Sequence, residues 1–500
     1  MMRFDGRRIL VLGLGESGLA VARFVDAGGG LVRVADTRVE PPSLARLRLE
    51  VPRAEFVAGP LADALLDDVA LVVASPGLSP SKPPLASFAE AARARALEVI
   101  GEIELFARAL AALREQRGYA PRIVGITGTN GKTTTTRIAA RMIERAGMSV
   151  RAAGNISPSA LEALLDAMAS DRLPQAWVLE LSSFQLATTS SLACDAAAVL
   201  NLSEDHLDWH PTLADYAAAK ARIFAPSTIQ VLNRDVPAVM AMAARKARVL
   251  TFGTDAPTQP DQFGLVHDAA LTWLAVADDA GEPGRRRRAA AELPGIPGPV
   301  FVQRLMPADA LHIRGRHNAA NALAALALVR AIGCPLAPVL HALRDYRGEP
   351  HRTEAVATVG GVVYYDDSKG TNVGATVAAI EGLGAELRDG RLVVILGGDG
   401  KGQGFAPLAA PLQRYGRAAI LIGRDAPGIE SALAASGVAL RHEADLGRAV
   451  QAAAGIAQPG DAVVLSPACA SFDMFRDYRH RAEVFVAAVR EIAASAGQPC

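Results

Sequence analysis

Apolar residues along this chain gather in short runs. Each run is closed by glycine or small polar residues and followed by a stretch of helical period. Ile9–Leu12 is the first such run. Gly13-Leu14-Gly15-Glu16-Ser17-Gly18 follows it, then a helical stretch to Ala27. Leu31–Asp36 predicts the next strand, and Leu71–Ala74 another, ending in Ser75-Pro76-Gly77. Alternation of this kind predicts a parallel sheet. A long helix is predicted from near Glu102 to Arg117. A second unit opens with Arg122–Thr127 and a glycine-rich loop, with strands predicted at Trp177–Leu181, Ala196–Leu202 and Ile229–Asn233. Asn318 to Ala331 reads as a helix stopped by Gly333 and Pro335. A third unit starts near Gly348, with strands at Val362–Tyr365, Leu392–Leu396, Ala418–Ile422 and Ala462–Leu465.

The expectation is an α/β chain of three domains. Residues 1–101 form an N-terminal Rossmann-like parallel sheet. Residues 102–347 form a central P-loop ATPase-like α/β domain, with an insertion loop at about 278–307. Residues 348–500 form a C-terminal Rossmann-like α/β domain. The run Arg285–Arg288 inside the insertion reads as a solvated charged loop.

Composition narrows the function classes. The chain has 500 residues, with 52 Lys+Arg against 52 Asp+Glu. That balance removes the electrostatic case for a nucleic-acid partner. No apolar stretch approaches the roughly 20 residues a membrane span needs, and the run at Ile9 is too short for a signal-peptide core. Cys194, Cys334, Cys469 and Cys500 are scattered, as in a reduced cytoplasmic protein. Only six of the basic residues are lysines: Lys82, Lys132, Lys220, Lys246, Lys369 and Lys401. Where positive charge is written as arginine, a lysine raises the question of what arginine could not do there.

Two loops carry candidate chemistry. Gly125-Ile126-Thr127-Gly128-Thr129-Asn130-Gly131-Lys132-Thr133-Thr134 follows a strand and opens a helix. Glycines let backbone N–H groups approach phosphates, the helix start favours an anion, and Lys132 adds a point charge. Thr133 is placed to offer its hydroxyl to Mg²⁺. The strict phosphate loop has glycine where this chain has Ile126, so the loop is a variant. Gly13-x-Gly15-x-x-Gly18 with Asp36 about 20 residues on fits a dinucleotide fingerprint, and equally a nucleoside diphosphate or close helix–strand packing.

Glu180 ends a predicted strand, as a Mg²⁺-binding acid beside a phosphate loop does. His206 and His210 are four apart, but Pro211 follows and no third ligand adjoins, so a single-ligand role for His206 reads better than zinc. Lys220 lies on a helix of small residues. Unlike arginine, a buried lysine can lose its proton, and the neutral amine can add CO₂ to become an anionic carbamate.

Together these residues resemble the Mur ligase family of ATP-dependent amide-forming enzymes. The resemblance runs nearly end to end, outside 278–307. It rests on Gly125–Thr134, Glu180–Gln185, Glu204–Asp208, Lys220, Gly315–Asn321 and His351-Arg352. It also rests on Gly13–Gly18, Asp36-Thr37-Arg38, Ser75-Pro76-Gly77, Asp367–Asn372 and Ser466–Asp473. The last five point to the branch that adds D-glutamate to UDP-N-acetylmuramoyl-L-alanine. Ser157 stands where the family usually has glycine, and Gly370 where it has alanine.

The resemblance implies specific roles. Glu16, Ser17, Asp36, Thr37, Gly77 and Asn155 fall on positions for the UDP substrate. Gly128, Thr129, Asn130, Gly131, Lys132, Thr133, Thr134, Asn318, Asn321, Arg352 and Asp367 fall on positions for ATP. Lys369, Thr371, Lys401, Ser471 and Phe472 fall on positions for D-glutamate. Thr133, Glu180, His206 and carbamylated Lys220 would hold two Mg²⁺ ions. Lys132, Glu180, His206, Lys220, Asn318 and Arg352 would be catalytic, and domain closure would exclude water from an acyl phosphate. A cytoplasmic monomer is expected. The rival readings are a sibling Mur ligase or a ligase of the folylpolyglutamate synthase type, a non-catalytic ATP-binding module, and an NAD-dependent oxidoreductase built on Gly13–Gly18.

Overall fold

The computed structural model describes residues 2–206, 209–269, 271–279, 300–387 and 389–498. They fall into two compact units. The first comprises Met1–Leu202, Trp209–Pro307 and Asn321–Leu343; the second comprises Ser203–Asp208, Ala308–Ala320 and Arg344–Cys500.

The first unit contains two sheets. Strands β1 (Arg8–Leu12), β2 (Leu31–Asp36), β3 (Glu55–Ala58), β4 (Val69–Ala74) and β5 (Val99–Gly101) form a parallel sheet in the order β3-β2-β1-β4-β5. Ile9, Val11, Val34 and Val73 are buried, as strands covered on both faces require. The second sheet joins β6 (Arg122–Thr127), β7 (Val150–Gly154), β8 (Ala176–Glu180), β9 (Ala196–Val199), β10 (Ile229–Asn233), β11 (Val249–Phe252), β12 (Gln262–Asp268), β13 (Leu271–Asp279) and β14 (Val300–Pro307). Its order is β14-β13-β12-β11-β10-β9-β6-β8-β7, parallel up to β12 and antiparallel from β12 to β14. The helices Glu16–Ala27, Glu102–Arg117 and Ala160–Ala169 share one apolar core across the two sheets, in which Phe24, Phe106, Leu161 and Trp177 are buried. Phe106 meets Trp177 edge to face, with centroids 5.3 Å apart.

One expectation is corrected here. Residues 300–307 are not loop but the edge strand β14. Its ladder to β13 supplies the order, while Phe301 and Val302 stay exposed, so no buried alternation announces it. The Arg285–Arg288 run lies outside the described residues, as do Leu207, Asp208 and Cys500.

The second unit carries β15 (Glu354–Val359), β16 (Val362–Asp366), β17 (Leu392–Gly397), β18 (Gly416–Ile422), β19 (Ala439–His442) and β20 (Ala462–Leu465), in the order β15-β16-β20-β17-β18-β19. Only the β15–β16 pair is antiparallel. Among the described residues, no helix is long and apolar enough to cross a membrane. Cys194, Cys334 and Cys469 are free and buried.

Candidate active site

In the first sheet, the C-terminal ends of β1, β2 and β4 open onto a cavity of about 500 Å³. Glu16, Ser17, Asp36, Thr37, Arg38 and Gly77 are among its lining residues. Parallel sheets place ligands at this edge. The loop after β1 is pressed flat: a Cβ on Gly18 would overlap the carbonyl oxygen of Gly13. Asp36 is buried and fully used. It accepts the Leu14 N–H at 2.7 Å, the Arg38 N–H at 2.9 Å, and the Arg38 guanidinium at 2.9 and 2.7 Å. The Arg38 hydrogen bonds hold its carboxyl down at about 2. A dinucleotide fingerprint needs this acid for a ribose hydroxyl. Here it is committed to Arg38 and the loop, which argues against the oxidoreductase reading.

The second loop lies between β6 and the helix Lys132–Arg145. Ile126 is buried in the strand, and the turn begins at Gly128. The Lys132 ammonium donates to the carbonyls of Gly128 (2.9 Å) and Thr129 (2.8 Å). The Lys220 ammonium donates to the same Gly128 oxygen, also at 2.9 Å. Two lysines thus converge on one carbonyl of the loop. Lys220 is 1% exposed, on the helix Leu213–Ala221, with its nitrogen 4.3 Å from the Tyr216 ring centre. A snorkelling surface lysine does not fit that burial. Gly131 has φ +81°, and a Cβ there would run into the Asn321 side chain, so Asn321 sits on the loop. Thr133 is buried in the first turn.

Glu180, at the end of β8, is 2% exposed. Its Oε1 accepts from Asn155 Nδ2 at 2.9 Å, while its buried Oε2 has no hydrogen-bond partner among the described residues. An unsatisfied buried carboxylate oxygen is costly, and a divalent cation with oxygen ligands would satisfy it. The residues therefore fit Mg²⁺. His210 is core: it lies within 2.9 Å of the Ser183 hydroxyl and packs on Trp209 and Tyr216.

The second unit groups the remaining candidates. His206 has φ +56°, and its N–H donates to Asp205 Oδ1 at 2.9 Å. Asp205 also lies 3.8 Å from the Lys401 ammonium and accepts from Asn372 at 3.1 Å. Asp367 is buried between the Ser466 hydroxyl (2.6 Å) and the Thr353 N–H (3.1 Å). Burial lifts its carboxyl to about 6. The Lys369 ammonium faces the Tyr478 ring at 5.3 Å. Ser471 is buried and Phe472 exposed. Thr371 follows directly on this Asp367–Gly370 turn. Asn318 donates to the Arg314 carbonyl at 2.7 Å, and Arg352 is half-buried beside His351.

Three models of known families match the chain in series. They are the Mur ligase MurD-like N-terminal domain at residues 7–101, the Mur ligase middle domain at 126–329, and the Mur ligase glutamate ligase domain at 351–469. The chain belongs to the Mur ligase family. It is 57% identical over 493 residues to the UDP-N-acetylmuramoylalanine–D-glutamate ligase of Ralstonia nicotianae, covering 98% of each chain. It is 56% identical over 498 residues to the enzyme of that name from Cupriavidus pinatubonensis, again covering 98% of each. Among solved structures, MurC of Thermotoga maritima matches with a TM-score of 0.56 at 20% identity, over 97% of this chain and 99% of that one. MurF of the same organism, in complex with ADP, matches with a TM-score of 0.58 at 16% identity, over 92% and 95%. These two likenesses concern the fold.

In this Mur ligase, several site residues escaped sequence reasoning. Asn201 clasps Asn130 in a reciprocal pair of 2.8 and 3.0 Å. Tyr216 lies under Lys220 and within 3.2 Å of the Thr129 hydroxyl. Asp205 and Tyr478 gather the cations of the second unit. Asp205 lies inside the Glu204–Asp208 motif but had no role of its own, and for the others only the lysine count was a hint. Of the two departures from the family pattern, Ser157 is exposed and has no positive φ, so glycine is not required there. At Gly370 an added Cβ would press on Asp367 and Ser466, so this change is tighter than its size suggests.

Proposed function

We propose that the chain is an ATP-dependent ligase adding D-glutamate to UDP-N-acetylmuramoyl-L-alanine in peptidoglycan precursor synthesis, with ADP and phosphate as products. The observation that carries the chemistry is the pair Lys132 and Lys220 on Gly128, in the same unit as the unsatisfied Glu180 carboxylate. Near-full-length similarity to D-glutamate ligases supports the choice of substrates.

The alanyl carboxylate oxygen attacks the γ-phosphorus of ATP, and the bond to ADP breaks. The glutamate amine then attacks the acyl-phosphate carbon, loses a proton, and phosphate leaves. Such transfers depend on positioning and charge neutralisation. Lys132 and the amides of Gly128–Thr134 hold the β- and γ-phosphates, with Asn321, Asn318 and Arg352 in support. Thr133 and Glu180 would hold one Mg²⁺, and His206 and carbamylated Lys220 would hold a second. Mg²⁺, when bound, neutralises charge between the phosphate oxygens and the incoming carboxylate. Lys220 acts as its carbamate: the neutral amine adds CO₂, an N–C bond forms and a proton leaves. Asp367 receives the ATP ribose.

The cavity at Glu16, Ser17, Asp36, Thr37 and Gly77 takes the uridine diphosphate, with Asp36 acting by fixing Arg38. Asn155 meets the sugar-nucleotide. Lys369, Thr371, Lys401, Ser471 and Phe472 receive the glutamate carboxylates. The functional domains are residues 1–101, 102–347 and 348–500, in a cytoplasmic monomer. The test is phosphate release with ATP, Mg²⁺ and UDP-N-acetylmuramoyl-L-alanine. Release that needs D-glutamate and is not supported by L-glutamate is expected; release independent of any amino acid would overturn the reading.

A further inference from the structure

Glu102 opens the helix Glu102–Arg117, directly after β5. Its carboxylate is buried, yet only half satisfied. Oε1 accepts the Leu161 N–H at 2.7 Å, while Oε2 has no hydrogen-bond partner among the described residues. Burial lifts the carboxyl to about 7 against the hydrogen bonding of Leu161, Ser159 and Ala160, and the like-signed Glu162 adds to the rise. Two residues on, Glu104 shows what a settled acid looks like here. It accepts the N–H groups of Ser190 and Ser191 at 2.8 Å each and the Arg108 guanidinium at 2.9 Å. A half-satisfied buried acid is a poor stabiliser, and an apolar residue of similar volume would pack there at less expense. Its use must lie in what it holds.

What it holds is the start of the helix Ala160–Ala169, and through it the loop from Gly154 to Ser159. That loop closes on itself through the Gly154 N–H to the Pro158 carbonyl at 3.2 Å. It carries Asn155, whose backbone N–H donates to the Glu180 carbonyl at 2.7 Å and whose amide donates to Glu180 Oε1 at 2.9 Å. We infer that Glu102 is a positioning residue: it pins the Asn155 loop and so sets the site for the sugar-nucleotide substrate without touching it. This rests on the reading that Asn155 meets that substrate.

The experiment is steady-state kinetics of the full-length enzyme with Glu102→Ala, Glu102→Leu, Glu102→Gln and Asn155→Ala, each varied in all three substrates. Glu102→Ala and Glu102→Leu are expected to raise KM for the UDP substrate about tenfold, with KM for D-glutamate and kcat within about twofold. Glu102→Gln, which still accepts the Leu161 N–H, is expected to stay within about threefold of the parent. Amide hydrogen exchange should quicken in residues 154–161 of Glu102→Leu and not in β6. Glu102→Leu, which keeps the volume, stands in if Glu102→Ala does not fold. Unchanged KM in Glu102→Leu, or equal loss in all kinetic constants with no rescue by glutamine, overturns the inference. If Asn155→Ala leaves KM for the UDP substrate unchanged, the reading beneath it fails instead.

Discussion

The two glycine-rich loops of the first unit use one backbone device for different ends. Both turn from the C-terminal end of a parallel strand into a helix. Around Gly13–Gly18 the cation Arg38 is paired with Asp36, and the loop opens onto a large cavity lined by Glu16, Ser17 and Thr37. Around Gly128–Thr134 two ammonium groups crowd one carbonyl, and Glu180, in the same unit, keeps an oxygen without a hydrogen-bond partner among the described residues. The first arrangement is electrically settled before any ligand arrives. The second keeps a buried carboxylate oxygen of Glu180 without a hydrogen-bond partner among the described residues, which suits a metal ion. Loop geometry makes a site for phosphate; the side chains gathered around it decide which phosphate chemistry occurs.

The sharpest way to break this contrast is to remove the lysines that meet at Gly128. Lys132→Met and Lys220→Ala are each expected to lower kcat by about 10³-fold or more, on the scale of losing a key electrostatic group. A short carboxylic acid should partly restore Lys220→Ala and leave Lys132→Met unmoved. Parent-like activity in Lys220→Ala removes that lysine from the mechanism. Glu180→Gln should lower kcat by about 10²-fold and shift the Mg²⁺ dependence upward. An unshifted magnesium titration separates Glu180 from the metal.

The settled loop should respond differently. Arg38→Met is expected to raise KM for the UDP substrate about tenfold and leave KM for ATP within about twofold. A change in the ATP constant alone would reverse the assignment of the two loops.

The smallest effect expected is on stability. Asp36 has its carboxyl lowered from 3.8 to about 2 in the folded chain. Its contribution is therefore present above about pH 4 and is lost as the pH falls toward 2. With Arg38 half exposed, solvent screening leaves about 1–2 kcal/mol of the full linkage. Thermal unfolding of Asp36→Asn should lie below the parent at pH 6 and converge with it near pH 2. Parallel curves at every pH would mean that the pair contributes nothing.

These contrasts were unevenly legible beforehand. Strands buried on both faces, such as Ile9–Leu12 and Leu392–Leu396, announce themselves as continuous apolar runs. So does the lysine-bearing helix start at Gly131. β14 does not, because an edge strand with Phe301 and Val302 exposed carries no alternation. Glu180 and Lys220 could be singled out by residue type. The pairing that makes Lys220 meaningful, to a carbonyl 92 residues earlier, has no local trace. Asn201 joins Asn130 across 71 residues in the same way, and the half-satisfied state of Glu102 follows only from folded burial.

The position of Gly131 has a consequence for how this chain can change. A left-handed backbone and the Asn321 side chain each forbid a Cβ there, for unrelated reasons. Trimming Asn321 would clear the space and leave the torsional penalty; re-laying the turn would ease the torsion and leave the collision. No single substitution gives mutation a foothold, so drift at this turn must cross two barriers at once.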